Sequence, residues 1–590
     1  MNVLILFFSC STQNPKPQLS PSPTTPSLSV SILPENPTAS DPLTCHFSTD
    51  VPIDVSDIEY SWFLNYSPSA TERQDPIRQS ILPSSYTSWG DTWSCQVSVD
   101  YRLNDQELSL ISIAQTSIPS GCERLSFFQN ERLSISTTEE AQEFCAEHNA
   151  ISGDLFVTSD VNLEALSCLC EINGNLTIAD HRSSFASMSQ LSTVGGKISI
   201  YNALTTQYDF PNLISVESVH IFNNSALRTL DFPLLSTLSD NIVVQNNPSL
   251  SLIFWPELSN TGGGIYLNDN SALTTLTLSK LQQVGGDFFF SNSPIRELDL
   301  INLQRIDGNL EMFDLEELVS LQTESIMFID GGLRLVGLSQ LTALSISVSD
   351  LQFLELKNNP KLSQITSATL TQIDDFAVIE ELSILETLNL SSLQKINDDL
   401  FLRGLPSLTR ADFSQLENIG GNVRFENAPL LAELDISKLA IVSGDVVFST
   451  LRSLTEINLS KLELIVGELR LSGMDTLEIA QFDVLERALA LTLHYNMVLS
   501  DVNFPMLSTI PTDINLSSNT ELLHFQLDSL NYVGGSIIIE NHPELNQAIF
   551  GELDLIGSNV QITQNDSLLE FDLSAENIGG SLLISENLSL

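Results

Sequence analysis

The chain has 590 residues, too many for one ordinary hydrophobic core, so a single globular domain is excluded unless units repeat and pack only on their neighbours. Its 24 Lys and Arg stand against 74 Asp and Glu, a net charge of −50 that repels nucleic acid and anionic lipid. Only 17% of residues are charged and the acids are scattered, so they read first as a solubilising surface, with cation binding as the other reading.

The chain opens on a short apolar run, MNVLILFFSC (1–10), in which Val3 to Phe8 is too short to span a bilayer as a helix. It resembles the end of a bacterial lipoprotein signal, which implies an acylated Cys10; an ordinary secretion signal is the alternative, and both imply export. Any membrane association is then expected through that lipid anchor alone. Residues 11–27, STQNPKPQLSPSPTTPS, are rich in Pro, Ser and Thr and are expected to form an extended tether.

From 28 to 120 the pattern becomes one of short alternating strands: LSVSIL (28–33), LTCHFS (43–48), IEYSWFL (58–64), TWSCQVSVDY (92–101) and LSLISIAQ (108–115). Cys45, Trp62 and Cys95 have the spacing of an immunoglobulin-type β-sandwich, in which two cysteines join the sheets and a tryptophan packs on the bridge. The stretch resembles the Ig-like modules of bacterial surface proteins, with WGDTWSCQVSVDY (89–101) as the matching motif. Trp62, Trp89 and Trp93 are expected in its core, with an aromatic ligand platform as the other reading, and the module is expected to act as a spacer.

Residues 121–590 carry one pattern written repeatedly, as in SALRTLDFPLLSTLSDNIVVQNN (225–247), SALTTLTLSKLQQVGGDFFFSNS (271–293) and TELLHFQLDSLNYVGGSIIIENH (520–542). The unit is roughly x-x-L-x-x-L-x-L-x-x-L-x-x-V-G-G-x-L-x-I-x-N-N. Its period of 22–23 residues predicts about 18 coils. The alternating segments read as short strands with one face inward, and no helical pattern intervenes, so the expected fold is all-β, a right-handed parallel β-helix or solenoid. At about 4.8 Å per coil, the stack is on the order of 85 Å long. Gly-Gly pairs (195–196, 285–286, 420–421, 534–535, 579–580) are expected to permit φ > 0 at a corner. Coils end near Asn202, Asn224, Asn247, Asn270, Asn359, Asn496, Asn519, Asn565 and Asn587, whose stacked amides are expected to form a hydrogen-bonded ladder. Glu381 and His542 occupy the same place in two other coils. His494, His524 and His542 read as surface residues.

The segments GNLTI (174–178), VGGKISIYN (194–202), LDFPLLSTL (230–238) and IGGSLLISEN (578–587) resemble the receptor L-domain. That module is a leucine-rich β-helix known from insulin-type and EGF-type receptors, with related repeats in fungal cell-wall glycoproteins and bacterial surface proteins. Cys122 and Cys145, followed by ISGDLFV (151–157) and LEALSCLC (163–170), are similar to the cysteine-bearing opening coil of that family. The resemblance implies extracellular recognition or adhesion without chemistry. Receptor L-domains are only a few coils long and paired with cysteine-rich modules, which this chain lacks, so a hormone-receptor function is not implied.

Apart from Cys10, six cysteines lie before residue 171: Cys45, Cys95, Cys122, Cys145, Cys168 and Cys170. An even, local set predicts disulfides in an oxidising compartment, the last four stapling an N-terminal cap in any of three connectivities. No phosphate loop, G-x-S-x-G elbow or H-E-x-x-H is present, and Arg and Lys are too dispersed for the clustered sites of polysaccharide-cleaving β-helices. The chain reads as a non-enzyme without cofactor or metal.

Between residues 293 and 474 the corner asparagine gives way to Leu315, Leu338, Leu405, Leu451 and Met474. These side chains either fill the same inward corner or form an apolar stripe on which a partner docks. Two functions from different classes are expected. The first is a surface-anchored recognition or adhesion protein, displayed outside the cell, that binds protein or carbohydrate along the solenoid. The second is a structural envelope or wall component with no discrete ligand.

Overall fold

The computed structural model describes residues 26–33, 42–50, 54–64, 67–73, 79–82, 92–103, 106–117, 122, 125–158, 161–183 and 185–590. Cys10, most of the tether and Trp89 lie outside them. The chain divides into two units, Met1–Pro119 and Ser120–Leu590.

The first unit has seven strands: β1 (Leu28–Leu33), β2 (Leu43–Thr49), β3 (Asp54–Leu64), β4 (Ser67–Arg73), β5 (Gln79–Leu82), β6 (Thr92–Leu103) and β7 (Gln106–Ser117). They form two antiparallel sheets of order β1-β2-β5 and β4-β3-β6-β7. Apolar residues of both sheets share one core, and the disulfide Cys45–Cys95 ties β2 to β6. Trp62 and Trp93 are buried beside it, edge to face with centroids 6.3 Å apart, and Trp62 Nε1 donates to Ser80 Oγ at 3.0 Å. β4 and β5 escape a pattern reading because SPSATER has no apolar alternation and QSIL is too short to show one.

The second unit is a parallel β-solenoid of about 20 turns with a repeat of about 23 residues. Its main sheet takes one four- or five-residue strand from most coils, and equivalent residues pair from coil to coil, as in Leu310 with Leu333 and Leu333 with Leu354. Strict alternation puts leucine, isoleucine and valine inside, where they build one continuous core along the tube. The count exceeds the sequence estimate because the first turns, with strands such as Arg132–Ile135 and Asp154–Thr158, lack the Asn corner yet join the same sheet.

Among the described residues one α-helix, α1 (Thr138–Glu147), lies in the first turns. Glu140 N–H donates to Thr137 Oγ1 and Thr137 N–H to Glu140 Oε2, both at 3.2 Å, a capping box that T-T-E-E (137–140) announces in the sequence. Ala141 and Phe144 turn inward, and disulfides Cys145–Cys168 and Cys122–Cys170 pin the surrounding loops. These two bridges choose one of the three connectivities open from sequence.

The Gly-Gly pairs work differently from expectation. None of those glycines has a φ between +20° and +160°. They are required because the preceding coil passes too close: a Cβ on Gly420 would sit 2.0 Å from the Asn397 carbonyl oxygen, and one on Gly534 2.0 Å from that of Pro511. The left-handed residues stand at the other corner, as Asn223 (φ 59°), Asn246 (φ 55°) and Asn358 (φ 54°), with Gly337, Gly404 and Gly473 in the same row. Asparagine tolerates this conformation better than other residues with a Cβ.

Two rows therefore run side by side. The outer, left-handed row is solvent-facing, and Asn246 Nδ2 donates to Asn223 Oδ1 at 2.7 Å. The inner row is the buried ladder. Asn224 Nδ2 donates to Asn247 Oδ1 at 3.0 Å and Asn247 Nδ2 to Asn270 Oδ1 at 3.2 Å. Asn202 and Glu381 belong to the outer row (φ 54° and 57°), and their inner-row neighbours are Ala203 and Leu382, both buried. Sequence spacing alone could not separate two rows one residue apart.

His542 is a corrected placement: it has no exposed surface and replaces asparagine in the inner row. Its Nδ1 accepts the Asn519 N–H at 3.2 Å, as an asparagine oxygen does elsewhere, while its own N–H donates to Asn565 Oδ1 at 3.0 Å. Burial lowers its pKa below the ordinary 6.5, against a weaker upward pull from the Asn519 and Leu516 backbone. The unfolded chain thus binds this proton more readily than the fold does. The stabilisation is present above the unfolded pKa of 6.5 and is lost as pH falls through it toward the lower folded value. His542→Asn is expected to shrink the drop in urea midpoint between pH 7.5 and pH 5; an identical drop in both proteins would refute this role.

Candidate recognition face

On each main-sheet strand the residues between the inward leucines face out, so successive coils write columns across one broad face. Three zones follow from what those columns hold. In the early coils they are aromatic: Tyr201 and Phe222 stack at 5.0 Å with planes 9° apart, and Phe289 lies 5.4 Å from Phe313. The Arg132 guanidinium stands over the Phe156 ring at 4.8 Å. Arg132, Asp154, Phe156, Lys197, Tyr201 and Phe222 are among the residues lining a shallow concavity of about 540 Å³. Flat apolar rings flanked by charged donors suit a sugar ring or an aromatic side chain of a partner.

The middle coils carry a chain of ion pairs. Arg334 joins Glu311 at 2.5 Å to Glu355 at 2.6 Å, Lys357 joins Glu355 at 2.8 Å to Glu380 at 3.6 Å, and Arg403 reaches Glu426 at 2.9 Å. Arg334 also covers Phe353 at 4.7 Å, and Phe353 stacks on Phe376 at 5.5 Å. Burial raises the Glu311 pKa, with Arg334 opposing. At Glu355 burial acts in the same direction but is outweighed by Lys357 and Arg334 together, so its pKa falls. The hydrogen bond to Glu355 raises Lys357. Arg334 and Arg403 each bridge carboxylates on the coils to either side, and Lys357 bridges its own coil to the following one, so the zone holds adjoining coils in register. The last coils place smaller polar groups outward, such as Asn515 and Ser517, in the same columns.

The residues proposed as an apolar stripe are placed elsewhere. Leu315, Leu338, Leu405, Leu451 and Met474 have no exposed surface and line the inner row of the tube. A side chain inside the tube offers nothing to a partner, so the stripe is corrected to core packing. His524 is partly exposed and its Nδ1 lies 2.6 Å from Asp501 Oδ1, and His494 is half-buried against Ser517. Among the described residues, no group of three His, Cys, Asp or Glu is placed to hold a metal ion. The aromatic columns were missed because each contributes one residue per coil; they show only when G-x-L-x-I segments are aligned and the positions between the leucines are read down.

Fold and face together define a leucine-rich repeat solenoid with a broad exposed sheet, a class generally non-catalytic and suited to protein interaction. Residues 167–256 match the Receptor L domain family, and residues 351–472 match the BspA type Leucine rich repeat region in 6 copies. The chain therefore carries receptor L-domain-like leucine-rich repeats. No curated protein and no solved structure matches it.

Proposed function

We propose that this protein is an extracellular recognition or adhesion protein, displayed on a cell surface, that binds a protein or glycan on the outer face of its main sheet. The stacked Tyr201–Phe222 pair beside Arg132 and Lys197 carries this reading, because it sets partly exposed aromatic rings and cations together on the outer face of the main sheet, outside the core. Repeats of these families have protein-binding ability in general, and three disulfides fit an oxidising compartment. No helix among the described residues is long and apolar enough to cross a membrane. In this reading Cys10 is the lipidated anchor, residues 11–27 the tether, and the two-sheet unit an Ig-like spacer.

The test applies the full chain to a glycan array and to intact cells. A discrete set of glycans, or saturable cell binding abolished by protease treatment of the cells, is expected. Tyr201→Ser combined with Phe222→Ser should weaken it at least tenfold with an unchanged unfolding midpoint, since both side chains lie outside the core. Undiminished binding by that variant would move the site off this face. No binding to either target would favour a structural envelope component.

A further inference from the structure

The main sheet is continuous, but a side sheet of short strands on the adjoining face is not. It runs in five blocks, one ending at Glu433–Asp435 and the next beginning at Glu456–Asn458. In neighbouring coils the side strands are fully joined: Ala432 N–H donates to Thr409 O at 3.0 Å, Phe413 N–H to Asp435 O at 2.8 Å, and Leu459 N–H to Gln481 O at 3.1 Å. At this junction, as at the other three breaks between blocks, the equivalent bonds, here Thr455 N–H to Ala432 O and Ile436 N–H to Asn458 O, are not made. Two strand edges therefore face each other unpaired across a concavity of about 410 Å³, with Leu434 half-buried in its lining. Register would set Glu433 directly against Glu456, a like-charge pair that disfavours closure. Arg410 neutralises Glu433 at 2.7 Å, but Glu456 has no ion-pair partner among the described residues.

We infer that this slot accepts an extended, basic strand of a protein partner, which completes the side sheet by pairing with both edges. Strand addition supplies backbone hydrogen bonds where the chain lacks them. Alternate side chains decide the rest: one set lies on Leu434 and is apolar, and the other meets Glu456 and is cationic. The site lies on a different face from Tyr201 and Phe222 and does not rest on their role.

The probes are a blocked octapeptide of alternating Val and Lys, its Val-Glu counterpart, and the Val-Lys peptide with alternate amides N-methylated. Fluorescence anisotropy and amide exchange on the full chain read the result. The Val-Lys peptide is expected to bind and to protect the Leu434, Ile436 and Thr455 amides. The Val-Glu and N-methylated peptides should bind at least tenfold more weakly. Glu456→Lys should cost at least tenfold without lowering the unfolding midpoint, and Tyr201→Ser with Phe222→Ser should leave peptide binding intact. Equal binding of the N-methylated peptide would reduce the site to charge attraction and overturn the inference, as would protection elsewhere or no binding at millimolar peptide.

Discussion

Gly420→Ala is expected to destabilise the solenoid by about 3–5 kcal/mol, while Gly404→Ala costs only about 1 kcal/mol. Both glycines lie at corners, yet they are needed for different reasons. At Gly420 the atoms that a new Cβ meets are backbone: the Asn397 oxygen at 2.0 Å and its carbonyl carbon at 2.7 Å. Relief requires the two coils to separate, which breaks hydrogen bonds such as Gly420 N–H to Ile396 O at 2.9 Å. At Gly404 the nearest atom is 3.7 Å away, so a Cβ fits, and only the left-handed backbone (φ 64°) is strained. Gly404→Asn, which restores the usual residue of that row, should be close to neutral. Because each coil packs only on its neighbours, Gly420→Ala should also split the denaturation curve into two steps. Urea titrations followed by circular dichroism distinguish these outcomes; equal losses at the two sites would contradict the assignment.

Asn247→Leu is expected to cost about 3 kcal/mol even though leucine stands in the same row elsewhere. Asn247 is fully buried, and its Oδ1 accepts both the Asn224 N–H at 3.1 Å and the Asn224 amide at 3.0 Å. Its Nδ2 donates to the carbonyls of Ile221 and Gln245, each at 3.1 Å. Leucine fills the space but leaves the buried Asn224 N–H without its acceptor and removes the amide donor to Asn270 Oδ1. At Leu405 the backbone solves the problem alone, since its N–H donates to Asn427 O at 3.1 Å. The reverse change, Leu405→Asn, should therefore also destabilise, because Leu382 and Ala428 above and below offer no side-chain oxygen or nitrogen. Amide exchange at Asn224 reads the first variant directly: rapid exchange is expected, and retained protection would show that another acceptor takes over.

Much of the architecture was legible because it is periodic. Alternating leucines every 22–23 residues admit few arrangements other than stacked coils with those leucines inside, and six early cysteines imply local bridges. The ladder was legible in kind for the same reason: Asn recurs once per coil, and identical amides one rung apart satisfy each other. The capping box before α1 was also written in the chain and passed unread, because one helix inside a repeat array does not disturb the period.

What the sequence determined by itself was the period, since hydrophobic burial acts on each coil alike and every repeat votes for it. The tertiary structure decided whatever depends on how one coil meets the next. Only there do Gly420 and Gly404 part ways, Leu405 and Met474 turn inward, and His542 take an asparagine's place. Only there, too, do Tyr201 and Phe222, about twenty residues apart, become one stacked surface, and Glu433 and Glu456 the lips of an opening. Such relations lie along the stacking direction, between residues that the chain reaches a full turn apart, and no local pattern records them.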